Sequence, residues 1–175
     1  TLSNLYMVKE MIYLFKKLYN HNSNFRFFFV TKDKNKIDSF INTDDKFLLE
    51  NNLISFKDAD GGNISDYINL FDISLCFVLS SNARKASSPT KIGESLACGV
   101  PVICNKNVGD LNDLIPKLYN HGLLDCSNFS MLDKVANNIS YYLSLDKHII
   151  RSKSKLYMDQ NNALFTYHKI YGLLI

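Results

Sequence analysis

The stretch Ile73-Ser74-Leu75-Cys76-Phe77-Val78-Leu79, a polar run from Ser80 to Ser88, and then Pro89-Thr90-Lys91-Ile92-Gly93-Glu94-Ser95-Leu96-Ala97-Cys98-Gly99-Val100-Pro101-Val102-Ile103-Cys104 decides the fold class. The first run is apolar on both faces, as a strand buried within a parallel sheet must be. Ser88 is placed to cap a helix, with Pro89 at its first position, where a missing N–H costs nothing. Gly99 ends that helix and Pro101 prevents its continuation. Val100 to Cys104 is a second strand, so the whole reads strand, helix, parallel strand. Gly93 and Ala97 leave a small-residue face, predicted to pack closely on the sheet.

The same alternation extends in both directions. Leu5, Val8, Ile12, Phe15 and Tyr19 recur at helical spacing, with Lys9, Glu10, Lys16 and Lys17 facing the other way. Phe25 to Thr31 is a two-sided apolar strand, Ile37 to Leu49 an irregular helix, Leu53 to Phe56 a strand, and Ile64 to Leu70 a helix. Downstream, Leu111 to Tyr119 predicts a helix, Gly122 to Leu124 a short strand, and Ser130 to Leu145 a helix. The tail carries a stripe of Leu156, Ala163, Leu164, Tyr167, Ile170, Tyr171 and Leu174. Alternating strands and helices predict a single α/β domain over residues 1–175, an open, mostly parallel sheet with helices on both faces.

Size and composition fit that class. The 175 residues, 20.1 kDa, scale to roughly 8,700 Å² of folded surface, enough burial for a core without staples. Hydrophobic residues make up 46% and charged residues 21%, which excludes a disordered or fibrous chain. No apolar run approaches the roughly 18 residues of a membrane-spanning helix. The net charge of +3 is spread along the chain, so no clustered basic patch points to nucleic acid. Lys32-Asp33-Lys34-Asn35-Lys36 reads as a solvated loop. Cys76, Cys98, Cys104 and Cys126 form no C-x-x-C pair and read as buried thiols of a reducing, cytoplasmic setting. Thr1-Leu2-Ser3-Asn4 reads as the start of a piece of a longer protein.

Several chemistries are absent as motifs. The glycines never fall at G-x-G-x-x-G spacing, and there is no P-loop, no G-x-S-x-G and no H-E-x-x-H. His21, His121, His148 and His168 are scattered and read as solvated or capping residues. What remains is the start of the helix at Pro89, in a loop at the carboxyl end of an apolar strand, where open α/β sheets bind ligands. Unpaired N–H groups, the helix dipole, Lys91 and the hydroxyls of Ser88 and Thr90 suit a diphosphate. Glu94, one turn on, is placed to accept the hydroxyls of a ribose. The plainer alternative is an ordinary helix with a Lys91–Glu94 surface pair worth about 0.2–0.5 kcal/mol.

Pro89 to Ile103, continuing through Val108-Gly109-Asp110-Leu111, resembles the donor segment of retaining glycosyltransferases of the two-domain GT-B type, family 4, or group 1. The shared run is P-x-K-x-x-E-x-x-A-x-G-x-P-V-I. Weaker likeness covers the chain: Ser65 to Phe77, with Asp72 entering the strand, Thr1 to Tyr6, and the tail over 155–175, which resembles a helix crossing to the N-terminal domain. The resemblance implies a Rossmann-like C-terminal half that binds a nucleoside diphosphate sugar, with UDP as the expected carrier. Glu94 would hold the ribose, Thr90, Lys91 and Ser88 would lie at the diphosphate, and Gly109, Asp110 and Leu111 would approach the sugar. The family's first paired glutamate falls on Ala86, with Arg84 and Lys85 beside it.

The implied parent is a bacterial, cytoplasmic hexosyltransferase of surface-polysaccharide assembly, with no metal or cofactor and the option of peripheral membrane attachment. Its acceptor, a glycan or lipid-linked glycan, would be held by a domain outside this chain, so the 175 residues alone are expected to be inactive. Two alternatives are a sugar-nucleotide 2-epimerase of the same architecture and a regulatory α/β module, for which Asp58 and Asp60 are the nearest acidic pair.

Overall fold

The computed structural model describes residues 2–58 and 63–172, and strands and helices alternate along them as the apolar pattern predicts. A 3-10 turn at Asn4–Tyr6 leads into α1 (Val8–His21) and then β1 (Phe27–Val30). The expected helix over Ile37 to Leu49 is instead a pair of 3-10 turns, Lys34–Ser39 and Thr43–Asp45, and a single turn of α2 (Phe47–Glu50). Ser39 and the Asn42-Thr43-Asp44-Asp45 run favour local turns over helix propagation. β2 (Ile54–Lys57), α3 (Ile64–Asn69) and β3 (Ser74–Cys76) follow.

A 3-10 turn at Asn82–Ala86 precedes α4 (Thr90–Ala97), β4 (Val102–Asn105), α5 (Leu111–Leu118) and β5 (Leu123–Leu124). The single helix expected over Ser130 to Leu145 breaks at Asn138 into α6 (Phe129–Asn137) and α7 (Ile139–Leu143). α8 (Lys147–Met158) has no counterpart in the sequence reading. Its signals were present: the Asp146 side chain caps the His148 and Ile149 amides, and Ile150 and Ser154 are buried one turn apart. α9 (Gln160–Gly172) ends the described chain.

All strand pairs are parallel. β1 pairs with β2, Phe27 opposite Ile54, and β3–β4–β5 form a second sheet with Ser74 opposite Val102 and Cys104 opposite Leu123. Alternation along β3 and β4 sends side chains to two cores. Phe77 and Ile103 join Leu14 of α1 and Leu132 of α6, whereas Cys76, Val78, Val102 and Cys104 join Ile92 and Leu96 of α4 and Ile115 of α5. This is an α/β fold of open parallel sheets with helices on both faces, of the Rossmann-like kind. The Tyr119 hydroxyl adds a side-chain rung, accepting from the Val102 amide at 2.6 Å and donating to its carbonyl at 2.8 Å.

The small-residue face of α4 does not pack on the sheet. Ile92, Ser95 and Leu96 take that side because they have more surface to bury, and Ser95 Oγ donates to Ser74 Oγ at 3.0 Å. Gly93 instead faces α8, where a Cβ would lie 2.9 Å from the Met158 methyl, and Ala97 is exposed. Gly99 stops α4 at φ 78°, so close to α8 that a Cβ would lie 2.3 Å from the Lys147 carbonyl oxygen.

The solvent-accessible surface is 10610 Å², against the roughly 8,700 Å² expected from mass alone. Part of the excess is the tail, where Leu164, Phe165, Tyr167, Ile170 and Tyr171 are all exposed. The Ala163 side chain and Leu174 of the predicted stripe, like Asp60, lie outside the described residues. Among the described residues no helix is long and apolar enough to cross a membrane.

Candidate functional site at the start of α4

β3 ends at Cys76, and the chain then loops outward before α4 begins against the carboxyl end of the sheet. Past the end of β3, the buried Asn105 side chain takes over the pairing, accepting from the Val78 amide at 3.1 Å. The Arg84 carbonyl oxygen organises the loop. It accepts from Ser87 Oγ at 2.8 Å, from the Ser87 amide at 3.2 Å, and from the Gly109 amide at 2.9 Å. That last bond ties the loop after β4 to the loop before α4.

Gly109 has to be glycine. Its φ is 52°, and a Cβ would lie 2.0 Å from the Ser87 carbonyl oxygen. The loop after β4 is further held by Asn107 and Asn112, whose side chains bond at 3.1 Å while Asn112 accepts from the Asn107 amide at 2.9 Å.

The expected Ser88 cap is not formed. Pro89 occupies the position before the first helical residue, Thr90, and no side chain caps the amides of that turn. The loop is already set through Ser87 and Arg84, so Ser88 remains exposed at the pocket rather than turned onto the helix. Uncapped first-turn amides and the positive end of the helix dipole thus open onto a pocket of about 210 Å³ lined by Leu5, Tyr6, Cys76, Val78, Arg84 and Ser87 to Lys91. Whole small-molecule sites usually measure about 300–1,000 Å³, so this pocket fits a group the size of a diphosphate rather than an entire sugar nucleotide.

Lys91 forms no ion pair with Glu94 among the described residues. Its ammonium sits 4.3 Å from the centre of the Tyr6 ring, a cation–π contact that fixes it over the pocket. It also lies near enough to Cys76 to oppose the burial that pushes that thiol up to about 11. Tyr6 is a site residue that sequence reading missed, since only the fold brings it under Lys91.

The predicted residues are only partly gathered. Ser88, Thr90 and Lys91 share the small pocket, and Gly109 packs against its rim at Ser87. Glu94 is exposed one turn further along α4, on the wall of a second cavity that Lys91 also lines. Asp110 is exposed, and Leu111 turns its side chain into the core at 3% exposure. Asp72 is exposed before β3 and lines the second cavity.

Residues 2–155 match the family model described as Glycosyl transferases group 1. No curated protein matches the chain at a significant level.

Proposed function

The chain belongs to the group 1 glycosyltransferases, and from that premise we propose that it is the half that binds the nucleoside diphosphate sugar. The observation that carries this reading is the convergence of Ser88, Thr90, Lys91 and Arg84 on one small pocket at an uncapped helix start. The diphosphate occupies that pocket. The α4 amides and Lys91 neutralise it, and the same charges stabilise it as it departs when the sugar is transferred. Glu94, a turn along the same helix, accepts the ribose hydroxyls, and the Gly109–Leu111 backbone borders the sugar.

Transfer with retention from a UDP-sugar to a glycan or lipid-linked acceptor in the bacterial cytoplasm, without a metal, belongs to the same reading. So does inactivity of these 175 residues alone, with the acceptor held by a further domain against which the exposed apolar residues of α9 would pack. The epimerase and regulatory alternatives have no comparable observation; Asp58 sits exposed, 4.0 Å from the Lys32 ammonium.

Calorimetric titration of UDP, GDP and ADP into the wild type, Glu94→Ala and Lys91→Ala tests the site. Glu94→Ala removes one or two charge-assisted hydrogen bonds of about 1.5–3 kcal/mol each, so affinity falls at least about tenfold. Lys91→Ala weakens the diphosphate more than it weakens uridine. Binding of all three nucleotides that is indifferent to both substitutions overturns the assignment.

A further inference from the structure

Tyr6, Cys76 and Lys91 line both the small pocket at the start of α4 and the second cavity, of about 710 Å³. Ser87 to Thr90 border the small pocket, whereas Glu94 borders the second cavity. Lys91 therefore stands on the partition between them. On one side are the uncapped amides of α4. On the other is the Glu94 carboxylate, three residues along the helix, the spacing at which Lys and Glu side chains pair. In a bare helix that pairing is the expected one. Here Lys91 makes no ion pair among the described residues, and its ammonium lies 4.3 Å from the centre of the Tyr6 ring.

We propose that Tyr6 is a positioning residue of this site. Its ring holds the Lys91 ammonium at the diphosphate pocket and keeps it from closing onto Glu94, so that both charges stay available to the ligand.

A tyrosine face attracts a cation through its quadrupole, so it positions the ammonium without neutralising it. A carboxylate partner would cancel the charge and occupy the acceptor as well. The third residue shared by the two cavities offers no anion either, because burial raises the Cys76 thiol to about 11 and keeps it protonated at neutral pH. The place of the ring is set without help from Lys91. The Tyr6 amide donates to the Ser3 carbonyl at 3.0 Å, and the Leu79 amide beyond β3 donates to the Leu5 carbonyl at 2.8 Å. Met7, at φ 46°, closes the turn in the left-handed region. The Tyr6 hydroxyl makes no hydrogen bond among the described residues, so the ring alone carries the contact with Lys91.

This role rests on the donor-site reading, and inorganic pyrophosphate separates the two, since it calls on Lys91 but has no ribose for Glu94. NMR titration of the 175-residue chain reads its affinity. The same spectra, before ligand is added, read the Lys91 ε-methylene protons, which an aromatic ring beside them moves upfield. Tyr6→Phe keeps the upfield shift and binds within about twofold of wild type, whereas Tyr6→Leu loses the shift and binds about three- to fivefold more weakly. Adding Glu94→Gln to Tyr6→Leu recovers most of that loss, because no carboxylate is left for Lys91 to close onto; the same change in wild type does less. With Lys91→Met already in place, Tyr6→Leu costs nothing further. An equal cost of Tyr6→Leu with and without Lys91 overturns the proposal, since Tyr6 would then only shape the pocket. A wild type without the upfield shift overturns it too, as does an equal gain from Glu94→Gln with and without Tyr6. Wild type that shows the shift but binds neither pyrophosphate nor UDP overturns the donor-site reading, and the role of Tyr6 falls with it. Pyrophosphate binding that ignores Tyr6→Leu overturns the role of Tyr6 alone.

Discussion

Every residue of β4 is buried, while β1 buries one of its four. The two strands are equally short, β1 is the more apolar, since β4 ends on Asn105, and both lie in parallel sheets. β4 has β3 on one side and β5 on the other, whereas β1 is bonded to β2 and opens onto the 710 Å³ cavity. Burial of a two-sided apolar strand is thus a property of its neighbours as much as of its own side chains. The two-stranded half carries the apolar composition of an interior strand at an edge.

The largest expected effect follows from that contrast. Ile103→Ala removes a fully buried side chain from the middle of β4 and costs about 2–5 kcal/mol in urea unfolding. Phe28→Ala removes a larger side chain, but a half-buried one beside an open slot, so no closed cavity is created and the cost is about 1–2 kcal/mol. Equal losses would break the comparison, because they would mean that β1 is packed as tightly as β4.

Alkaline pH separates the halves by a smaller amount. Cys76 on β3 and Cys104 on β4 are buried, and β1 and β2 contain no cysteine. Burial raises the Cys76 thiol from 9.0 to about 11 and raises Cys104 as well, the neighbouring Cys76 adding to it. The folded chain keeps protons that the unfolded chain releases above about pH 9. The two thiols therefore add no pH dependence below that value, and their contribution falls as pH rises from 9 toward 11, at up to about 1.4 kcal/mol per pH unit for each thiol. Cys76→Ala flattens the slope, measured as urea midpoints from pH 8 to 10.5. Amide exchange over the same range should loosen β3 and β4 before β1 and β2.

How much of this was legible in the sequence depends on the range of the interaction. β2, α3, α4 and α5 were read within a residue or two because their signals are local: apolar period, Gly99, Pro101. β3 was read too long, since the pairing of Val78 passes to the Asn105 side chain, 27 residues away. α8 was missed because its overall polarity hides a narrow buried stripe at Ile150 and Ser154. In the site, the family-like run exposed Lys91, Thr90 and Glu94. Nothing local showed that Tyr6 lies beneath Lys91, or that Arg84 and Gly109 are joined through one carbonyl. The split of the sheet was equally hidden, since each strand reads as interior.

The smallest effects compare two helix starts, one capped and one not. α8 is capped by Asp146, which accepts from the His148 amide at 2.7 Å and the Ile149 amide at 3.1 Å. Asp146→Ala leaves those amides without their partner and removes a carboxylate from the positive end of the helix dipole, costing about 1 kcal/mol. Ser88→Ala, beside the uncapped start of α4, removes no cap and changes stability by less than about 0.5 kcal/mol. Saturating UDP reverses the ranking. An exposed hydroxyl at the pocket gives the diphosphate a hydrogen bond of about 0.5–1.5 kcal/mol, so Ser88→Ala loses part of the UDP-induced rise in midpoint while Asp146→Ala keeps all of it. Thermal melts of both variants with and without UDP read all four values at once. A Ser88→Ala loss as large without nucleotide as with it would mean that the hydroxyl serves the fold, and the start of α4 would then be an ordinary helix end.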